Sequence, residues 1–134
     1  MRAGFALVSL LACRSAVEPA LVCPEKAAVV ATTPVAGGRA EWCARKDGSR
    51  NGPAREYRPD GTLYKTGNYL GVRKEGLFTW YHPDGKAPME QGTYLKNKLD
   101  GERIRWDAAG VELGREVWKA GDRMSGDLGV SPPQ

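Results

Sequence analysis

The sequence from residue 52 to residue 126 is an internal repeat, and this repeat limits the possible folds more than any other feature. Three units begin at Gly52, Gly76 and Gly101, with starts 24 and 25 residues apart. Each unit has an aromatic residue five positions after its first glycine, then a second glycine, then a second aromatic residue. A period of this length is typical of a chain built from neighbouring copies of one supersecondary unit.

The recurrent positions predict β-hairpins. The first two units each contain Pro-Asp-Gly, at residues 59–61 and 83–85, and these residue types favour a type I turn followed by a left-handed residue. The third unit keeps only the glycine, so we expect its turn to be the least rigid. The repeat aromatics are Tyr57, Tyr69, Tyr81, Tyr94, Trp106 and Trp118, and the repeat turn glycines are Gly52, Gly61, Gly76, Gly85, Gly101 and Gly110.

The segments between the turns predict an all-β fold. They are five to eight residues long and contain aromatic and β-branched residues, which suits strands and is too short for helices. The 17 glycines and 9 prolines also exclude a helical bundle. We therefore expect an elongated antiparallel β-meander of about three repeated hairpins in a single twisted sheet, with a disordered or helical N-terminal leader.

Alternation along the strands predicts which side chains share a face. Leu77, Thr79 and Tyr81 lie on one side of their strand, and Phe78 and Trp80 lie on the other. We expect the face of Tyr57, Tyr81 and Trp106 to be the shared apolar one. The opposite face changes from aromatic to basic along the sheet, so its residues form a candidate binding face: Phe78, Trp80, Arg103 and Arg105.

The first residues have the layout of an export signal. Arg2 precedes an apolar run that is too short to span a bilayer. Leu10-Leu11-Ala12-Cys13 resembles a bacterial lipobox, so Cys13 is a candidate lipid attachment site, with residues 1–12 as signal peptide. Cleavage further along, an ordinary frayed terminus and a buried free thiol at Cys13 are the alternatives. An exported, lipid-anchored envelope protein and a soluble secreted or periplasmic protein both remain open.

Cysteine parity predicts one disulfide. If Cys13 is acylated, Cys23 and Cys43 remain as an even pair closing a loop of about 20 residues, which would contribute about 3 kcal/mol. We expect short strands at residues 27–33 and 40–44 around this pair. The predicted organisation is an extension at 13–45, the repeat domain at 46–126 and a flexible tail at 127–134.

No catalytic group or ligand site is predicted. The single histidine, His82, lies in a hairpin turn, and pairs of carboxylates are expected by chance on a charged surface. Two thiols far from one histidine do not provide the ligand spacing of a metal site, and no glycine-rich phosphate loop is present. The net charge of +4 is too evenly spread to indicate a nucleic-acid partner. We therefore predict a protein that is not an enzyme and needs no cofactor.

The second unit, residues 75–98, resembles the MORN-like repeats of bacteria, and the resemblance extends over about residues 46–126. It implies a sheet of hairpins that acts as a scaffold or binds a protein or envelope component, with the membrane reached through the lipid anchor alone. Repeats of this variant are often labelled YwqK-type antitoxins. The alternative function is therefore an antitoxin or immunity protein that neutralises a toxin by direct binding.

Overall fold

The computed structural model describes residues 19–33 and 37–129, which form one open antiparallel sheet of ten strands. The strands follow one another in sequence order, except that the two-residue β5 pairs with β4 beside the main path. The predicted all-β meander is confirmed. The strands are β1 (Ala27–Thr32), β2 (Arg39–Arg45), β3 (Arg50–Tyr57), β4 (Leu63–Leu70), β5 (Arg73–Lys74), β6 (Gly76–Tyr81), β7 (Pro88–Leu95), β8 (Lys98–Trp106), β9 (Glu112–Lys119) and β10 (Asp122–Asp127).

The residues before the repeat extend the same sheet. β1 and β2 match the two strands predicted there, and β2 pairs with β3 across the predicted boundary between the extension and the repeat domain. The predicted disulfide joins Cys23 to Cys43, whose Cα atoms are 5.5 Å apart. Cys43 is fully buried. Among residues 19–33 and 37–129 there is no helix long and apolar enough to span a membrane.

The two ends of the chain bear on three predictions. The signal peptide at residues 1–12 and the lipid site at Cys13 lie outside the described residues. Of the tail predicted at residues 127–134, the structure describes residues 127–129: Asp127 ends β10, and Leu128 is buried with its backbone close to Gly114. Residues 130–134 also lie outside the described part.

The three predicted hairpin turns are present. In the first two, Gly61 and Gly85 have positive φ, and the preceding aspartate accepts hydrogen bonds from backbone N–H groups just beyond the turn. The third turn has an aspartate at a different position. Asp107 accepts from the N–H groups of Ala109 and Val111, at 2.9 Å each. The third turn is therefore held by as many carboxylate bonds as the second.

All six repeat glycines have positive φ, but only three lie in turns. Gly52, Gly76 and Gly101 lie within β3, β6 and β8, so their description as turn glycines is wrong. A bulge recurs beside the first aromatic residue of each unit, where the register shifts at Tyr57, at Tyr81 and at Trp106. Bulges bend a strand and increase its twist, so the curvature of the sheet repeats with the sequence.

Neighbouring repeats are joined by the residue that follows the first aromatic. The guanidinium of Arg58 donates to the carbonyl oxygen of Tyr81 at 2.6 Å. One unit later, the ring of His82 hydrogen-bonds to the carbonyl oxygen of Trp106 at 3.0 Å through Nε2. In the third unit the same position is Asp107, which bonds to its own turn instead. His82 is therefore a structural link between two repeats.

The prediction of the apolar face is wrong. Phe78 is 1% exposed, whereas Leu77, on the face expected to be buried, is 53% exposed. On the expected face, Thr79 accepts a hydrogen bond from Gln91, and Thr66 contacts the hydroxyl of Tyr81. Alternation shows which residues share a face, but the covered face depends on what lies opposite across the strands. Here Gly67 provides the space that the Phe78 ring occupies.

Candidate functional site

The centre of the sheet carries a cluster of four aromatic side chains on one side. Phe78 is the innermost, and the rings of Tyr69 and Tyr94 meet it edge-on with centroids 5.4 and 5.2 Å away. Trp80 lies next to it along β6, at 6.3 Å. We call the side of the sheet that carries these four residues the aromatic face. Aromatic pairs with these geometries contribute stabilisation beyond the apolar area that they bury.

The absence of a side chain at Gly67 allows the Phe78 ring to lie against strand β4. Gly67 is next to Phe78 on the neighbouring strand, and a Cβ atom at Gly67 would overlap the ring. The corresponding Gly92 is paired with Phe78 on the other side, but a Cβ there would meet Leu99 and not Phe78. The ring therefore packs onto β4 specifically.

Lys74 covers this cluster from β5. Its ammonium nitrogen is 4.8 Å from the centroid of Tyr94, 5.3 Å from Phe78 and 5.9 Å from Trp80. Burial lowers the pKa of Lys74, with a further contribution from the charge of Lys65. Burial also raises the pKa of Tyr94. The aromatic cluster thus carries its own cation, which is held over the rings by cation–π attraction.

A second cation lies between aromatic rings further along the same face. The guanidinium carbon of Arg50 is 4.7 Å from the ring centroid of Trp42 and 5.1 Å from that of Tyr69. Tyr69 is therefore shared by the two cation–aromatic groups. A continuous band of rings and cations runs from β2 to β7.

The third repeat replaces this aromatic packing with an ionic cluster. Arg103 occupies the position of Phe78 in its unit, and Glu116 occupies the position of Gly67 and Gly92. Arg103 contacts Glu90 at 2.8 Å and Glu116 at 3.8 Å. The buried Glu116 carboxylate also accepts from the indole N–H of Trp118 at 2.8 Å. The two departures from the repeat are therefore partners in one structural replacement.

The structure brings the four residues of the candidate binding face together on the aromatic face. Phe78 is in register with Gly92 and then Arg103, and Trp80 is in register with Glu90 and then Arg105. Phe78 is buried, so the prediction that it contacts a partner is wrong. Its ring forms the buried base of the site. Arg103 is paired with two glutamates. The partly exposed groups are Trp80 and Arg105, and Arg105 makes no ion pair with any residue that the structure describes.

Sequence reasoning missed the two cations and the glutamates of this site. Arg50 precedes the first unit and Lys74 lies near the end of that unit, so neither occupies a recurrent glycine or aromatic position of the repeat. Glu116 differs in sequence from Gly67 and Gly92, which occupy the same position in the other two units. The opposite charges of Arg103 and Glu116, at positions that are apolar in the second unit, were the available signal.

The opposite face has a groove near β1. It has a volume of about 910 Å³ and is lined in part by Ala20, Leu21 and Val29. Arg55 crosses its floor, pairing with Glu41 at 3.1 Å and donating to the carbonyl oxygen of Pro19 at 2.9 Å. Residues 19–23 therefore lie across this face, where the disulfide holds them. We call this cavity the β1 groove.

Within residues 19–33 and 37–129, no three His, Cys, Asp or Glu side chains are grouped so that they could hold a metal ion. Comparisons of the chain with protein-family models, with curated proteins and with solved structures found no significant match.

Proposed function

We propose that this protein is an exported MORN-like repeat lipoprotein that acts, without catalysis, as a scaffold or binding module for a protein or envelope component. The observation that carries the proposal is the aromatic face, which presents Trp80 and Arg105 in one cross-strand row, with Glu90 of β7 between them. Aromatic residues and arginine are the residue types that contribute most to binding at protein interfaces.

The ion pairs on the aromatic face indicate where an acidic group of a partner would bind. Lys65 is bound to Glu56 at 2.8 Å, and Arg103 is bound to Glu90, so these side chains are engaged within the sheet. Arg105 lies beside them without an ion partner among the described residues. An acidic group of a partner would therefore find its counter-charge at Arg105, on the same face as the apolar surface of Trp80.

The disulfide supports export. Disulfides form and persist mainly in oxidising compartments, and the pair Cys23–Cys43 uses two of the three cysteines. Cys13 is then the one cysteine without a disulfide partner in the chain, which is consistent with a lipid attachment site.

The binding proposal is tested by a pull-down from bacterial envelope extracts with the wild-type chain and an Arg105→Glu variant. Arg105→Glu should lose the captured partner, because it places a negative charge against the acidic group. Lys86→Glu is the matched control, because Lys86 is exposed in the turn between β6 and β7 and the change in charge is equal. Capture that is equal for all three proteins would overturn the assignment to the aromatic face. Rescue of growth by co-expression with a neighbouring toxin would favour the antitoxin function instead.

The anchor is tested separately by labelling cells with a radioactive fatty acid. The wild-type chain should incorporate the label, and a Cys13→Ser variant should not. Absence of label from the wild-type chain would overturn the lipid anchor, whereas the binding proposal for the aromatic face would still be tested by the pull-down.

A further inference from the structure

The two edge strands of the sheet differ in how they are protected. β10 carries Asp122, Arg123 and Asp127, and its register shifts between Arg123 and Ser125. Charged residues and bulges are the usual means by which proteins prevent an edge strand from pairing with another chain. β1 has neither: Ala27–Thr32 contains no charged residue, and its register with β2 is regular along all six residues.

The backbone groups on the outer side of β1 can be identified. The amide of Arg45 donates to Ser49 at 2.9 Å, so the backbone of Arg45 faces β3 and not β1. Because Arg45 is opposite Ala27 and facing alternates along antiparallel strands, Ala27, Val29 and Ala31 direct their N–H and C=O groups outward. The Ala27 amide donates to Pro24 at 3.1 Å. Val29 and Ala31 therefore present open hydrogen-bonding groups on the described edge.

We propose that β1 pairs with β1 of a second copy of this chain, antiparallel and related by a twofold axis at Val29. In this register Val29 lies opposite its own copy and Ala27 lies opposite Ala31, so every facing pair within residues 27–31 is small and uncharged. Opposite residues also project on the same face, as a twofold axis perpendicular to the sheet requires. The two sheets then continue into one another.

The chemistry of both edges favours a second copy over other strands. A charged strand would leave its charges without partners along β1, whereas β1 itself matches in length, in size of side chain and in lack of charge. The protected β10 edge opposes head-to-tail addition, so the assembly closes as a dimer and does not grow into a fibre. The side chain of Val29, which lines the β1 groove on the opposite face and is 48% exposed, lies at this edge and adds to the contact.

The test measures the mass of the full exported chain by sedimentation equilibrium. One strand pair makes a small interface, so we expect a reversible dimer that dissociates in the micromolar range. Val29→Lys should raise the dissociation constant at least about tenfold, because it places two like charges opposite each other at the axis. Met124→Lys, on the exposed surface of β10, is the matched control and should leave the mass unchanged.

A second variant separates loss of the dimer from loss of the fold. Val29→Pro removes an outward N–H and none of the bonds between β1 and β2, so it should weaken the dimer while near-UV circular dichroism stays unchanged. A wild-type chain that is monomeric at all concentrations would overturn the proposal. So would a dimer that tolerates both changes at Val29. A monomer whose β1 amides lose protection from hydrogen exchange when residues 1–18 are deleted would show that the chain's own N-terminal residues occupy the edge.

Discussion

Alanine at position 67 should destabilise the protein only while Phe78 is present. The added methyl group would overlap the Cε1, Cδ1 and Cζ atoms of Phe78, whose ring is confined by Tyr69 and Tyr94. Overpacking of this kind costs about 1–3 kcal/mol. Replacing glycine by alanine in a strand without such a clash stabilises by about 0.5 kcal/mol. We therefore expect Gly67→Ala to lower the free energy of unfolding by about 1–2 kcal/mol.

The sign of this effect should reverse when the ring is absent. Phe78→Ala alone should cost about 3 kcal/mol, since Phe78 is 1% exposed and contacts three other rings. In that background the methyl group of Gly67→Ala enters free space, and the substitution should be stabilising. The resulting coupling between the two positions is about 2 kcal/mol, which is well above the error of additivity for independent sites.

Urea unfolding of the four proteins of this cycle, followed by tryptophan fluorescence, measures the coupling. Gly92→Ala provides a matched control, because Gly92 holds the same position in the next repeat and its added Cβ would lie 3.1 Å from the flexible end of Leu99. Gly92→Ala should show no coupling to Phe78. If Gly67→Ala costs the same with and without the ring, the packing of Phe78 onto β4 is refuted.

Three other predictions concern the disulfide, the ionic cluster and the acid response. Replacing Cys23 and Cys43 together by serine should lower the free energy of unfolding by about 3 kcal/mol, because the disulfide closes a loop with a sequence separation of 20 residues. An unchanged urea midpoint would mean that the disulfide does not contribute to stability. Glu116→Ala should cost about 2 kcal/mol, because it leaves the indole N–H of Trp118 without its acceptor and removes one of the two glutamates paired with Arg103, which keeps Glu90 at 2.8 Å. Glu112→Ala, in an exposed pair with Arg115, should change stability by less than about 1 kcal/mol, so equal losses would contradict the structural role of the buried carboxylate. The hydroxyl and N–H of Thr62 lower the pKa of Asp60 from 3.8, and the N–H groups of Lys86 and Ala87 lower the pKa of Asp84. The stability that these ionised carboxylates add is therefore present above pH 3.8 and is lost as the pH falls through their lowered pKa values. Below about pH 4 the urea midpoint should fall less in an Asp60→Asn, Asp84→Asn double variant than in the wild type, and equal acid sensitivity of the two proteins would count against these bonds.

Local features of the fold were predictable because they depend on neighbouring residues. Pro-Asp-Gly at residues 59–61 and 83–85 specifies its turn through φ preferences and a short side-chain bond, and the structure has both turns. The strands on each side follow from alternation and from the spacing of the turns. The disulfide was predictable in the same way, since parity left one pair after Cys13 was assigned.

The sequence predicted that four residues of the candidate site share a face, but it did not predict their roles or the cations and glutamates beside them. Register places Phe78, Trp80, Arg103 and Arg105 on one face, as alternation within each strand indicated. Whether each of these side chains is exposed for contact or buried beneath other side chains depends on residues from other strands. Gly67 on β4 gives Phe78 its space, and Lys74 on β5 covers the ring.

The sequence by itself determined the repeated hairpins, the positions of their turns and the sides on which neighbouring side chains project, because each depends on backbone preferences within a few residues. Only the tertiary structure decided which side of the sheet is packed and which cations cover it. Those contacts join residues from three or four strands, and their distances are set by register and by the recurrent bulges. The tertiary structure also shows that β1 and β10 are the two edge strands of the described sheet. A strand is recognisable in sequence, but whether it lies at an edge depends on the order of all the strands in the sheet.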